Sequence, residues 1–196
     1  IVSGICISIF GVIVTASFNA PTILASLAKD HEDVPIQVAM EHYKISAINF
    51  VGYSSGATGV INYMMETSKD KNYPPVANFI SLDGEYNSCK YGYKKQELSH
   101  IMTSAPDKKT AMYRYIEANY QKLNPKIRVY LMEGNNLTKS GQLTDGTIPW
   151  GDSFSIYHLL QKNGNPVSIY IYPTKVAHSL LPKEKTVQNY IKNLLY

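Results

Sequence analysis

The chain has 196 residues, of which 44% are hydrophobic and 17% are charged, and its formal net charge is +4. This length and composition predict a single domain over residues 1–196 with one hydrophobic core, and they exclude a disordered or linker-like chain. The basic residues are spread along the sequence and form no stripe interleaved with aromatic residues. We therefore expect no nucleic-acid partner.

The cysteine and histidine patterns exclude the common disulfide and metal sites. Cys6 lies in an apolar run and Cys89 in a polar stretch, and two cysteines are too few for a disulfide framework. The five histidines show neither HxH nor HExxH spacing. We expect neither a metal nor a cofactor.

The first 18 residues carry no charged side chain and are rich in β-branched residues. A run of this length could nearly cross a membrane, but Ser3, Gly4, Ser8 and Gly11 interrupt it. We predict two buried strands of a parallel sheet here and no membrane span in the chain. Because the first residue is not Met, we also expect an N-terminal segment of a longer product to be missing.

The next apolar strand, residues 45–51, runs directly into Gly52-Tyr53-Ser54-Ser55-Gly56, and apolar residues at helical spacing follow up to Thr67. A second strand, residues 76–82, ends in Asp83-Gly84-Glu85. The polar, Lys-rich stretch between Tyr86 and Ser104 predicts a surface excursion that could form a small cap.

Strands and helices continue to alternate in the second half of the chain. A helix that opens at Ala105-Pro106-Asp107 is expected to carry Met112, Tyr115, Ile116 and Tyr120 on one face. The remaining predicted elements are a strand at 127–132, a helix at 152–162, a strand at 167–172 and a helix at 184–195. This alternation predicts an α/β fold with a mostly parallel central sheet and helices on both faces.

Three polar residues follow the carboxyl ends of predicted strands, where active sites of such sheets collect. Ser54 has the surroundings of a nucleophile, because Gly52 and Gly56 leave room for a strained strand-to-helix turn at Tyr53-Ser54. The backbone N–H of Ser55 would then donate to a developing oxyanion.

A serine nucleophile needs a base, and His178 is the histidine placed after the final strand. Asp145, in the loop after residue 132, would accept the other ring N–H, although Asp-Gly is also a simple turn signal. Asp152 and Glu133 compete for the acid role, and Asp83 is a weaker alternative.

Residues 49–56 (NFVGYSSG), 144–149 (TDGTIP) and 177–181 (AHSLL) together resemble the bacterial α/β-hydrolase-like proteins of unknown function often labelled cell-surface hydrolases. The resemblance covers roughly residues 18–196. It implies an α/β-hydrolase fold of the lipase or esterase kind without a settled substrate, and a secreted or cell-surface location, with a cytoplasmic one as the alternative. For the substrate we expect a small-molecule ester or a lipid-like molecule.

The chain departs from the family pattern in two places. It has Tyr53 where members have a histidine, and it lacks a His-Gly pair after the first strand, the loop that supplies the second oxyanion donor. Two functions follow from these residues. The first is a serine hydrolase that cleaves an ester or thioester through an acyl-enzyme on Ser54, and the second is a catalytically silent fold that binds a ligand or protein.

Overall fold

The computed structural model describes residues 3–9, 12–18, 24–26, 47–87, 92, 97–137 and 142–195, with the backbone alone for the first three ranges. Its strands form one sheet in the spatial order β3-β1-β2-β4-β5-β6-β7. In chain order they are β1 (Ser3–Ile9), β2 (Val12–Phe18), β3 (Leu24–Ser26), β4 (Ala47–Tyr53), β5 (Val76–Leu82), β6 (Arg128–Glu133) and β7 (Val167–Ile171).

The helices of the described residues alternate with the last four strands. They are α1 (Ser55–Thr67), α2 (Leu98–Ile101), α3 (Ala111–Asn119), α4 (Trp150–Asn163) and α5 (Lys185–Leu195), with short 3₁₀ helices at Tyr120–Lys122 and Leu181–Lys183.

Strands β4 to β7 form the parallel half of the sheet, and each pairs in parallel with the next. The five inner residues of β4 are all buried, as expected of a strand that is covered on both faces. The predicted α/β architecture with a mostly parallel sheet is thus confirmed. The carboxyl ends of these four strands lie at the same edge, which is where the predicted site residues follow them.

The N-terminal stretch forms strands as predicted, but one of them runs in the other direction. β2 pairs antiparallel with both β1 and β4. The prediction of parallel strands is therefore wrong for β2, because two residues separate it from β1 and so short a connection joins only antiparallel neighbours. Among the described residues, no helix is both long enough and apolar enough to cross a membrane.

Side chains on the two faces of the sheet enter two different hydrophobic clusters. Phe50 of β4 packs in a cluster with Ile61 of α1, whereas its neighbour Val51 packs in a cluster with Ile80 of β5 and Val187 of α5. Successive strand residues point to opposite faces of a sheet. Helices therefore cover both faces, as the alternation of strands and helices predicted.

The predicted helix between β5 and β6 begins later than expected. It starts at Ala111, after Thr110, whose hydroxyl accepts a hydrogen bond from the Tyr113 N–H. Its buried face carries Tyr113 and Ile116, while Tyr115, which was predicted to lie on that face, is 45% exposed. Residues 105–107, which were expected to open the helix, therefore precede it.

The predicted cap between Tyr86 and Ser104 is described only in part, because residues 88–91 and 93–96 lie outside the described ranges. The beginning of this stretch is not a surface excursion, since Tyr86 and Asn87 are both buried. Their backbone N–H groups donate to Asp152 Oδ2 at 3.0 and 2.8 Å. A buried carboxylate of α4 thus anchors the chain as it leaves the sheet.

Candidate active site

Ser54 occupies the corner between the end of β4 and the start of α1. Its backbone has φ 54° and ψ −128°, values that a non-glycine residue adopts only when its surroundings impose them. The Ser54 N–H donates to the Leu82 carbonyl at 3.0 Å, and the Ser54 carbonyl accepts from the Glu85 N–H at 3.1 Å. A Cβ atom at Gly52 would lie 2.6 Å from Ala57 Cα, so the corner requires glycine at this position.

His178 lies in the loop after β7 and connects Ser54 to Asp145. Its Nε2 is 3.1 Å from Ser54 Oγ, and its Nδ1 is 2.5 Å from Asp145 Oδ2. With the proton on Nδ1, the ring donates to the carboxylate and presents the Nε2 lone pair to the serine hydroxyl. The structure thus brings together the three side chains singled out in the sequence, each from a different loop.

Asp145 is fully buried and its carboxyl group is held at both oxygens. Oδ1 accepts from the backbone N–H groups of Thr147 and Ile148, both at 2.6 Å, while Oδ2 faces His178. The backbone carbonyl of Asp145 also accepts from the His178 N–H at 2.9 Å. Asp145 therefore both forms the Asp-Gly turn and faces the histidine. Its Oδ1 accepts the hydrogen bonds of the turn, and its Oδ2 remains available to His178.

Asp83 also reaches this site, from the end of β5. Its Oδ2 is 3.7 Å from His178 Nδ1, and its Oδ1 accepts from the Gly134 N–H at 2.5 Å. Burial, and next the charge of Asp145, raise the pKa of Asp83 to about 8. The sequence analysis gave Asp83 as the weaker alternative for the acid. The sequence does not show how close the ends of β5 and β6 bring the carboxyl groups of Asp83 and Asp145.

Tyr53 contacts His178 through both its ring and its hydroxyl. The ring centroids are 4.9 Å apart with an interplanar angle of 32°, and the hydroxyl donates to the His178 carbonyl at 3.2 Å. Burial raises the pKa of Tyr53, and the nearby carboxyl groups of Asp83 and Asp145 raise it further. The hydroxyl therefore stays a donor at neutral pH. Tyr53 entered the sequence prediction as a turn residue, and its contact with the histidine was not predicted.

The other two candidates for the acid have different hydrogen-bond partners. Glu133 is fully buried and accepts from the Ser153 hydroxyl, and its pKa is raised by burial and by the nearby Asp83 carboxyl group. Asp152 holds the backbone after β5, as described above. His158 is half-buried on α4.

Among the described residues, Asp83, Asp145 and His178 are the one group with three side chains close enough to share a metal ion. The 2.5 Å between His178 Nδ1 and Asp145 Oδ2 leaves no room for an ion between them, because metal ligands about 2.0 Å from one ion lie more than 3 Å apart. In this structure the Asp145–His178 pair within the group is therefore arranged as a hydrogen bond.

The nucleophile side of the site faces solvent. Ser54 is partly exposed and Ser55 is exposed, whereas the His178 side chain is 14% exposed. Ser55 is the first residue of α1, and Gly56 follows it in the first turn, so the Ser55 N–H has no acceptor within the helix. The stretches 10–11, 19–23 and 27–46, which include the loop expected to supply a second oxyanion donor, lie outside the described residues.

Two solved bacterial structures are similar to this chain. A Listeria innocua gene product, lin2722, has a TM-score of 0.66 at 14% identity, with 96% of this chain and 79% of that chain covered. A candidate cell surface hydrolase from Lactobacillus plantarum WCFS1 has a TM-score of 0.62 at 16% identity, with 98% and 79% covered. At these identities the likeness concerns the fold.

Comparison with curated proteins finds no match. Residues 28–196 match the family described as alpha/beta hydrolase of unknown function (DUF915). The match spans most of the chain, including the corner at Ser54 and the loops that carry Asp145 and His178. The chain therefore belongs to this family of alpha/beta hydrolases of unknown function.

Proposed function

We propose that the chain is a serine hydrolase that cleaves carboxylic esters or thioesters through an acyl-enzyme on Ser54. The observation that carries the proposal is the continuous hydrogen-bonded path from Ser54 Oγ through the imidazole of His178 to Asp145, with separations of 3.1 and 2.5 Å. A serine hydroxyl is a weak nucleophile at neutral pH, and an adjacent neutral imidazole is the base that activates it.

Acylation uses the three side chains in turn. His178 Nε2 accepts the proton of Ser54 while Oγ attacks the carbonyl carbon, which becomes tetrahedral. His178 then gives this proton to the leaving alcohol or thiol as its bond to the carbonyl carbon breaks, and the acyl group stays on Ser54. Asp145 accepts a hydrogen bond from His178 Nδ1–H throughout and stabilises the imidazolium. Two backbone N–H groups hold the other carboxylate oxygen and so fix the orientation of the carboxylate.

Deacylation repeats these steps with water as the nucleophile. His178 takes a proton from the water, the hydroxyl oxygen bonds to the acyl carbon, and the proton passes to Ser54 Oγ as the carboxylic acid leaves. The Ser55 N–H is the donor to the oxyanion in both half-reactions, since it lies at the N-terminus of α1 beside the nucleophile.

The substrate we propose is a small ester or lipid-like molecule, which could approach Ser54 from solvent because Ser54 is partly exposed and Ser55 is exposed. The description of the Lactobacillus neighbour as a candidate cell surface hydrolase supports a cell-surface location for this chain as well.

The test is turnover of nitrophenyl butyrate and of a short acyl thioester by the wild type, Ser54→Ala and Ser55→Ala. We expect Ser54→Ala to lose about 10⁵-fold in kcat, down to background. Ser55→Ala is the matched control and should keep its activity, because only its backbone N–H takes part. Equal turnover by the wild type and Ser54→Ala would contradict the proposal.

A wild type that folds but cleaves neither compound would favour the second candidate function, a silent fold that binds a ligand or protein.

A further inference from the structure

The end of β5 places a second carboxyl group beside the histidine that faces Ser54. Asp83 is fully buried, and its backbone φ of 46° turns the chain sharply at the end of the strand. Its Oδ1 is occupied by the Gly134 N–H. Its Oδ2 is buried, lies 3.7 Å from His178 Nδ1, and accepts no hydrogen bond among the described residues. A buried carboxylate oxygen without a donor is costly, so this atom requires an explanation.

A proton on Asp83 Oδ2 removes that cost. One carboxylate oxygen of Asp145 and one of Asp83 lie within 4.8 Å of each other, in the group that also includes a ring nitrogen of His178. Asp145 already accepts three hydrogen bonds, from the backbone N–H groups of Thr147 and Ile148 and from His178. Asp83 accepts one. The negative charge therefore stays on Asp145, and the proton belongs to Asp83.

We propose that Asp83 is a positioning residue that carries a proton and donates it in a hydrogen bond to Asp145, so that His178 faces a pair of carboxyl groups with a single negative charge. This inference rests on the proposed function for its effect on activity. The position of the proton itself does not depend on that function.

The groups that face Asp83 support a neutral carboxyl. They are Tyr53 of β4, Glu133 of β6, Asp145 in the loop after β6 and His178 in the loop after β7. Two of the four are acidic, and burial together with the charge of Asp145 raises the pKa of Asp83 to about 8. Two ionised carboxylates this close together in a buried site would repel each other strongly.

The arrangement also gives His178 a reserve acid. In Asp145→Ala the neighbouring charge is gone, so Asp83 ionises more readily and its Oδ2 needs to move less than 1 Å from 3.7 Å to accept from Nδ1. Asp83 can replace Asp145 in this way because both carboxyl groups face the same atom, His178 Nδ1.

The first measurement is the infrared carbonyl band of protonated carboxyl groups at pH 7 in the wild type, Asp83→Asn and Glu133→Gln. We expect Asp83→Asn to remove one band and Glu133→Gln, the matched control, to leave that band in place. Asparagine keeps the acceptor for the Gly134 N–H and tolerates positive φ, so the variant should fold. A folded Asp83→Asn that keeps every protonated-carboxyl band would overturn the proposal.

The second measurement is kcat/KM on nitrophenyl butyrate for Asp83→Asn, Asp145→Ala and the double variant. We expect a loss below about threefold for Asp83→Asn, whose amide still donates to Asp145, and about 10–100-fold for Asp145→Ala. The double variant should lose about 10⁴-fold, more than the product of the single losses. A double loss equal to that product would overturn the positioning role.

The two readouts separate the possible failures. A wild type that cleaves no ester contradicts the proposed function, while the carboxyl band still decides whether Asp83 carries the proton.

Discussion

Replacing Asp83 with Asn should change the pH dependence of protein stability. The pKa of Asp83 is raised from its usual 3.8 to about 8, with burial as the main cause and the charge of Asp145 as the next. Below about pH 4 the carboxyl is protonated in both the folded and the unfolded chain, so it makes no difference to stability. Between pH 4 and pH 8 the unfolded chain releases this proton and the folded chain keeps it, so the free energy of unfolding falls as pH rises.

The size of the effect follows from the two pKa values. Each pKa unit corresponds to about 1.4 kcal/mol, so the wild type loses roughly 6 kcal/mol of unfolding free energy through this group as the pH rises through both pKa values. Above pH 8 the loss levels off, because Asp83 is then ionised in both states. Asparagine cannot ionise, and it suits the φ of 46° better than aspartate does, which adds a small gain at every pH.

The assay is urea unfolding of the wild type and Asp83→Asn at intervals from pH 4.5 to pH 8.5. We expect the stability advantage of Asp83→Asn to grow steadily up to about pH 8 and then to stay constant. Glu97→Gln, which removes an exposed carboxylate away from the site, is the control. An advantage that is the same at every pH would refute the reasoning, because Asp83 would then ionise alike in the folded and unfolded chains.

Three further predictions concern the residues around the site. Gly52→Ala should destabilise the protein by about 2 kcal/mol in urea unfolding and lower activity, because the added methyl would meet Ala57 Cα at 2.6 Å; wild-type values would contradict the packing. Tyr53→Phe should lower kcat about threefold and Tyr53→Leu about tenfold, because the hydroxyl and the ring each hold His178. KM should change little in both variants, and a change in KM alone would instead indicate a role in substrate binding. Asp152→Ala should lower the free energy of unfolding by about 3 kcal/mol, because it leaves the N–H groups of Tyr86 and Asn87 without their acceptor; an unchanged urea midpoint would show that this anchor is dispensable.

The sequence predicted the parallel half of the fold because each strand there is an apolar run that leads to a turn and a helix. Strand β5 was predicted with its observed ends, Val76–Leu82. The direction of β2 was missed, because buried parallel and antiparallel strands share the same apolar pattern and only the short connection to β1 distinguishes them. For α3, Tyr115 was predicted on the buried face, but Tyr113 is the buried residue. The two tyrosines are equally apolar, and only packing decides which of them is buried.

The candidate site was predictable to the extent that its chemistry is local. Ser54 stands out because a glycine-flanked serine between a strand and a helix is a local pattern, and His178 and Asp145 follow from their positions after strands. The approach of Asp83 to His178 could not be predicted, because it depends on how far apart the ends of β5 and β7 lie. The same holds for the stacking of Tyr53 on the imidazole, which requires the loop after β7 to fold back over β4.

The most direct test of the proposed nucleophile is reaction with a fluorophosphonate, followed by mass spectrometry to locate the adduct. Such a reagent phosphonylates a serine only where a base activates the hydroxyl. We expect the adduct on Ser54 in the wild type and in Ser55→Ala, none in Ser54→Ala, and a rate lowered at least about 100-fold in His178→Ala. A folded wild type whose Ser54 stays unmodified, or an equal yield of adduct in Ser54→Ala, would contradict the assignment of Ser54 as the nucleophile.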